Sequence, residues 1–175
     1  MSSKLISTTE ISDYQYLQMK HDEIYHHEIV ALGVSKRMNH ITLHLVKYLG
    51  ILSSKPVSSA ENHRAFIDSF IMIISASNLL GISLEKELLT NDINYTAHSF
   101  IDEYIGLLAQ LAKACEATDH QEDYPIRATW NNSILRFFFL IAHEAGLRNI
   151  SILKESSQRL ASVENKNPLN DILRR

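Results

Sequence analysis

Asp68-Ser-Phe-Ile-Met-Ile-Ile-Ser-Ala-Ser-Asn78-Leu-Leu-Gly81-Ile-Ser-Leu-Glu85 is the stretch on which the fold turns. With Phe66 and Ile67 before it, the apolar run reaches Leu80 and is too long for a typical strand. Asp68, Ser69, Ser75, Ser77 and Asn78 interrupt it, so it is also too short and too polar to span a bilayer. It reads as a helix of a protein core that ends at Gly81.

Working outward, Ser58 and Glu61 form a capping box for this third helix, and Ser53 to Ser59, which holds Pro56, is a surface loop. Ser35 caps a second helix through Met38, Ile41, Leu45 and Leu49 that stops at Gly50, a residue suited to the left-handed turn after a helix. Ser12 with Gln15 opens a first helix that runs to about Gly33. Downstream, a short helix follows Ser83, and a polar stretch covers Asn91 to Thr96. A helix from about Ala97 to Ala117 leads into the loop Thr118 to Arg127, which contains Pro125. Thr129 caps a helix through Phe137, Phe138, Phe139 and Ile141 to Gly146, and a last helix, Ile150 to Asn165, is closed by Pro168. The expected fold is all-α, a bundle of six to seven helices in a single domain over 1–175.

Length and composition agree with that expectation. The chain has 175 residues, 45% of them apolar and 21% charged, which is ordinary for one globular core and too apolar for a disordered chain. Its five Gly and three Pro fall between the apolar runs. The formal net charge of −3 and the lack of any Lys/Arg block argue against nucleic acid as a partner. Cys115, the one cysteine, permits no internal disulfide. The start MSSKLISTTE lacks the apolar core of a signal peptide, so the expectation is a cytoplasmic protein with no membrane partner.

The chain also echoes itself. Sliding it by about 65 residues lays Gly81 on Gly146 and Asn78-Leu-Leu-Gly81-Ile82 on His143-Glu-Ala-Gly146-Leu147. His44-Leu-Val-Lys47 falls over Gln110-Leu-Ala-Lys113 with a one-residue gap. An internal repeat of 35–90 and 97–165 accounts for this, as does the common rhythm of any two helical hairpins.

The stretch from Asp68 to Glu85 resembles a helix of the MazG-like nucleoside triphosphate pyrophosphohydrolases, an all-α superfamily. In that family a metal-binding Asp begins an apolar helix that ends in Asn-x-Leu-Gly-Ile and an acidic residue. Gly146-Leu-Arg-Asn-Ile-Ser-Ile-Leu-Lys154, Arg159 and Asn165-Lys-Asn-Pro168 are similar to the family's Lys- and Asn-bearing last helix. The resemblance implies two MazG-like hairpin pairs packed as an internal pseudo-dimer, and a homodimer of the whole chain. It also implies magnesium held by carboxylates one turn apart on two facing helices, with a bound water attacking phosphorus. The family writes these as Glu-Glu-x-x-Glu and Glu-x-x-Asp. Here His40-Ile-Thr-Leu-His44 stands where the first set falls, and Ala65 stands three residues before Asp68. In the second half Ser133 takes the place of Asp68, while Asp102 and Glu103 come at least a turn too early.

Two polar stripes remain to be accounted for. Arg37, His40, His44 and Lys47 share one side of the second helix, and Glu61, Arg64, Asp68, Ser75 and Asn78 share a sector of about 100° on the third. Such a line on an apolar cylinder must meet solvent or find partners inside. If the stripes face each other they make a pocket. Arg37, His40, His44, Lys47 and Arg64 would bring charge and donors to a nucleotide or small phosphate compound, with Asp68 orienting a histidine and Asn78 at the far end. Alternatively His40, His44 and Asp68 hold a transition metal, because imidazole suits such ions better than magnesium. A third reading is a solvated face that binds nothing.

The first helix adds His21, His26, His27 and Glu28 beside Tyr14, Tyr16 and Tyr25. Adjacent His26 and His27 diverge by about 100°, so exposed or interface positions are expected for this cluster. Under the resemblance, Tyr25 stacks on a base. Trp130 is expected to be a core or interface anchor. Two function classes follow: a nucleotide-handling protein that binds or hydrolyses its ligand, and a non-catalytic helical interaction protein that retains only the scaffold.

Overall fold

The computed structural model describes residues 6–90 and 99–165. These form α1 (Thr8–Tyr25), α2 (His27–Val30), α3 (Val34–Ser54), α4 (Ala60–Leu80), α5 (Leu84–Thr90), α6 (Phe100–Asp119), α7 (Ile126–Leu147) and α8 (Ile152–Glu164). The protein is all-helical, with no strand among the described residues. Among the described residues there are eight helices rather than six or seven, because the first expected helix breaks at His26, whose backbone leaves the helical region (φ −134°, ψ 33°). Neither Gly nor Pro marks that break. The expected polar stretch Asn91 to Thr96, the start of a helix at Ala97 and the stop at Pro168 lie outside the described residues.

Helix ends follow burial where burial and local signals disagree. The first helix starts at Thr8, not Ser12, because Ser7 accepts the Glu10 amide at 3.2 Å while Ile6 and Ile11 are both buried. That is a capping box with a hydrophobic staple outside it. Gly50 lies inside α3, since Leu52 is a core residue and requires a further turn. The Ser53 and Ser54 hydroxyls bond back to the Gly50 carbonyl. Ser59, not Ser58, caps α4, accepting from the Asn62 amide at 3.1 Å. Thr129 lies within α7, which begins directly after Pro125.

α3, α4, α7 and α6 form a ring in which each helix packs on two neighbours. α1 and α8 then cover the outer side of α4, and α1 also seats α5. α4 therefore touches four helices and is the most enclosed element. Phe66, Phe70, Ile73, Ile74 and Leu80 on α4 meet Met38 and Leu45, Tyr104 and Leu111, and Phe137, Phe138 and Ile141 in one buried cluster. Trp130 is buried in it as well. The Tyr104 hydroxyl donates to the Leu45 carbonyl at 3.2 Å and lies 3.0 Å from Ser69 Oγ, so the polar atoms at the middle of the ring are paired.

The two hairpins α3–α4 and α6–α7 end alike. After α4, Gly81 takes a left-handed conformation (φ 69°) and the Ile82 amide donates to the Ser77 carbonyl at 2.9 Å. After α7, Asn149 takes that conformation (φ 54°) and the Ile150 amide donates to the Ala145 carbonyl at 2.8 Å. Both are Schellman turns. The counterpart of Gly81 is thus Asn149, three residues beyond Gly146, which remains helical. In that register Gly81-Ile-Ser-Leu-Glu-Lys-Glu87 lies on Asn149-Ile-Ser-Ile-Leu-Lys-Glu155. No single described helix is long and apolar enough to cross a membrane.

Asn62 holds the open end of the ring together. Fully buried, it donates to the carbonyls of Leu52 (3.1 Å) and Lys55 (3.0 Å) and accepts from Arg148 (3.1 Å), which itself lies over the Phe66 and Phe100 rings. Asn62→Ala leaves these carbonyls without a donor and is expected to cost about 2–3 kcal/mol, measured as a lower urea midpoint with an unchanged m-value.

Candidate functional site

The polar stripe of α4 is a seam. Glu61 pairs with Lys55 at 3.5 Å. Asp68 accepts from Arg159 of α8, Nε to Oδ1 at 2.8 Å and Nη2 to Oδ2 at 3.3 Å. Ser75 donates to Asp22 Oδ2 of α1 at 2.6 Å. Asn78 exchanges two hydrogen bonds with Gln15 of α1, at 3.0 and 2.9 Å. Beyond Arg64, which is exposed, the stripe is therefore where α1 and α8 dock. Where those two helices diverge around α3 they leave a cavity of about 320 Å³.

Of the residues singled out in the sequence, Arg37, His40, His44 and Asp68 stand on the cavity wall. Lys47 does not, but its ammonium lies 3.3 Å from His44 Nδ1. Arg64 faces a separate open groove with Ser59, His63 and Glu155. Asn78 is a structural clamp rather than a ligand group, its amide being used by Gln15. Asp68, expected to orient a histidine, is paired with the Arg159 guanidinium.

The imidazoles of α3 are neutral. Burial, then the nearby charges of Lys47 and His40, push His44 down to about 4, and burial with His26 and Lys47 lowers His40 as well. A lysine ammonium can only donate, so His44 Nδ1 accepts from Lys47 and its proton sits on Nε2. Burial and the Asp68 charge push Tyr48, whose hydroxyl is 3.2 Å from His44 Nδ1, up to about 12, so it is a phenol that can donate.

The other half of the wall comes from α1 and α2: Gln18, His21, Asp22, His26 and Glu28. His21 is only 3% exposed, not a surface or interface residue, and neither ring nitrogen has a hydrogen-bond partner among the described residues. The Tyr25 and His26 rings pack against it at centroid distances of 4.9 and 5.5 Å. His27 and Tyr16 are exposed, as expected for this cluster. Burial opposes the charge on Asp22, yet His21 and the hydrogen bonds from Ser75 and Gln18 outweigh it and hold the carboxyl below its ordinary range. Asp22 is an ionised, half-buried carboxylate.

Searches of protein-family models, curated proteins and solved structures find no match to this chain. The site must be read from its own atoms.

Magnesium does not fit this donor set. It takes oxygen ligands in octahedral geometry, normally with one or two free carboxylates converging on it, but both Asp68 oxygens are taken by Arg159 and those of Asp22 by Gln18 and Ser75, which leaves Glu28 as the one other carboxylate on the wall. His40, His44 and Asp68 do not converge as a transition-metal trio either. Among the described residues the one group of three ligand atoms within 4.8 Å of one another is Glu116, His120 and Glu122 at the end of α6. There Lys113 already bridges both carboxylates, at 3.1 and 2.7 Å.

Sequence reasoning missed Asp22, Gln18 and Arg159 as wall residues and misplaced His21. A signal was present: Ile11, Tyr14, Gln18 and His21 follow helical spacing along one face of α1, which therefore turns polar at its C-terminal end.

Two outcomes are expected. In a double-mutant cycle, Asp68→Ala and Arg159→Ala should each cost about 1–2 kcal/mol and the pair little more than either, because each single change strands the other charge. His44 is depressed in the folded state, so the unfolded chain takes up its proton first as pH falls below the free imidazole value of about 6.5. Its stabilising contribution is complete above that pH and is lost as pH falls towards about 4. In urea titrations, His44→Gln should therefore lose less stability than wild type between about pH 7 and about pH 5.

Proposed function

We propose that the protein binds a small organic ligand in the cavity between α1, α2, α3, α4 and α8, and does not hydrolyse it with magnesium. The observation that carries this reading is the buried His21 imidazole, neither of whose nitrogens has a hydrogen-bond partner among the described residues, in the wall of a space of about 320 Å³. Unpaired buried polar groups are costly and tend to mark a role outside packing. The wall is mixed: Ile29, Ile41, Ile71, Met72, Leu160 and Val163 supply apolar surface among a larger number of polar and charged side chains, which suits a ligand with both an apolar and a polar part.

The MazG-like resemblance points to nucleotide-related compounds as the first class to try. Arg37 and the Nε2 proton of His44 are donors suited to an anionic or carbonyl oxygen. The acidic quartet of the family's chemistry is replaced, so binding rather than turnover is the reading. The scaffold itself is read as two MazG-like hairpin pairs, α3–α4 and α6–α7, joined as a pseudo-dimer. What supports this is the Schellman turn and the Ile-Ser-x-x-Lys-Glu run shared by the two ends. A homodimer is supported by exposed apolar side chains on two helices that pack together, Leu43 and Val46, 69% and 48% exposed on α3, and Ile105, 48% exposed on α6.

In thermal denaturation, nucleobases, nucleosides and nucleotides tested with and without Mg²⁺ should include compounds that raise the melting temperature, since a ligand of the folded state stabilises it. His21→Phe should abolish the rise. Magnesium-dependent release of pyrophosphate from a nucleoside triphosphate would overturn the non-hydrolytic reading. For the dimer, sedimentation of wild type against Leu43→Glu is expected to show two chains falling to one.

A further inference from the structure

Resting on the reading that this cavity binds a ligand, we infer that the group it recognises is a cationic nitrogen with several N–H donors, a primary ammonium or an amidinium. The inference comes from the imbalance of acceptors over donors on one turn of α1. Gln18, His21 and Asp22 are spaced three and four residues apart, so all three reach the same wall.

Each presents unused acceptor capacity. Gln18 spends its amide nitrogen on Asp22 Oδ1, at 2.8 Å, and its carbonyl Oε1 is buried with no partner. Asp22 is ionised, and among the described residues no Lys or Arg pairs with it; its nearest charge partner is His21 Nδ1, at 3.9 Å. A carboxylate has about four lone-pair sites, and the donors from Gln18 and Ser75 occupy two of them. The neutral form of His21 adds one acceptor nitrogen.

Among the described residues no Lys or Arg meets this demand. Arg159, the guanidinium on the α8 side of the cavity, is committed to both oxygens of Asp68. Arg37 shares the wall but makes no ion pair with Asp22. A half-buried carboxylate whose one charge partner among the described residues is an imidazole nitrogen 3.9 Å away is stabilised by a cation, and an ammonium or amidinium offers several donors to Asp22, Gln18 Oε1 and His21. The apolar side chains facing this turn, Ile71, Met72 and Val163, suit a short hydrocarbon or aromatic body behind the charged head. A metal ion is disfavoured because these three residues bring only one carboxylate, and both of its oxygens already accept hydrogen bonds from Gln18 and Ser75.

The test uses the full chain and isothermal titration with butylammonium and benzamidinium, their neutral isosteres butanol and benzamide, Zn²⁺ and Mn²⁺, and the nucleotide panel above. We expect at least one organic cation to bind at least about tenfold more tightly than its neutral isostere. Binding should move the His21 ring resonances in NMR spectra and should weaken about tenfold or more in Asp22→Asn. Should Asp22→Asn fail to fold, Gln18→Met and His21→Phe serve instead and should each weaken the cation without altering the affinity for butanol. Equal affinity for cation and isostere overturns the inference, as does binding of a metal ion alone. Binding of nucleotides without any organic cation overturns it while leaving the cavity a ligand site. If nothing binds, both readings fall.

Discussion

The enclosure of α4 on almost every side is the constraint on which the rest of this structure depends. A helix with ring partners on one side and α1 and α8 on the other cannot turn its polar residues to water, so each must meet a partner as the covering helices arrive. Asn62, Ser69 and Ser77 meet theirs within the ring or along their own helix. Asp68, Ser75 and Asn78 meet theirs on α8 and α1. Apolar burial supplies the drive to assemble, whereas these polar pairs choose one register for α1 and α8 among the several that a smooth apolar surface would permit.

Much of the fold could be read along the chain for the same reason. The run from Phe66 to Leu80 needs burial all round and can only be central, and the left-handed turn at Gly81 follows from a glycine placed after it. The ends of helices were less legible. Gly50 and Gly146 look like stops, but Leu52 beyond the first lies in the core, and Asn149 beyond the second takes the turn. A short-range signal loses wherever one more turn buries an apolar side chain. The break at His26 left no local mark at all.

The site divides in the same way. Arg37, His40, His44 and Asp68 share helical faces that the sequence displays, and the structure brings them to one wall. Arg159 and Asp22 reach that wall from other helices, and only tertiary packing shows that Arg159 pairs with Asp68 while no Lys or Arg among the described residues pairs with Asp22. His21 was the hardest to place. Among neighbouring histidines and acids it looks like surface, and its burial follows from Tyr14 and Ile11, about two and three turns earlier on the same face.

These two carboxylates show how charge is arranged around the cavity. Asp68 is matched by a bidentate guanidinium, so its field is largely cancelled at short range and it serves to hold α8. Asp22 is held ionised by His21 and by the Ser75 and Gln18 donors, with no Lys or Arg among the described residues paired with it, so its negative field is less fully cancelled than that of Asp68. The imidazoles of His40 and His44 are kept neutral by burial and by neighbouring positive charge, so they do not offset it. Because Coulomb interactions strengthen as water is excluded, a less fully cancelled carboxylate beside a partly apolar space acts more strongly on whatever enters than the paired one does. The asymmetry also separates the roles of the two sides. Breaking the α8 side removes a strut, whereas neutralising the α1 side changes the potential of the cavity with the ring helices still packed around α4.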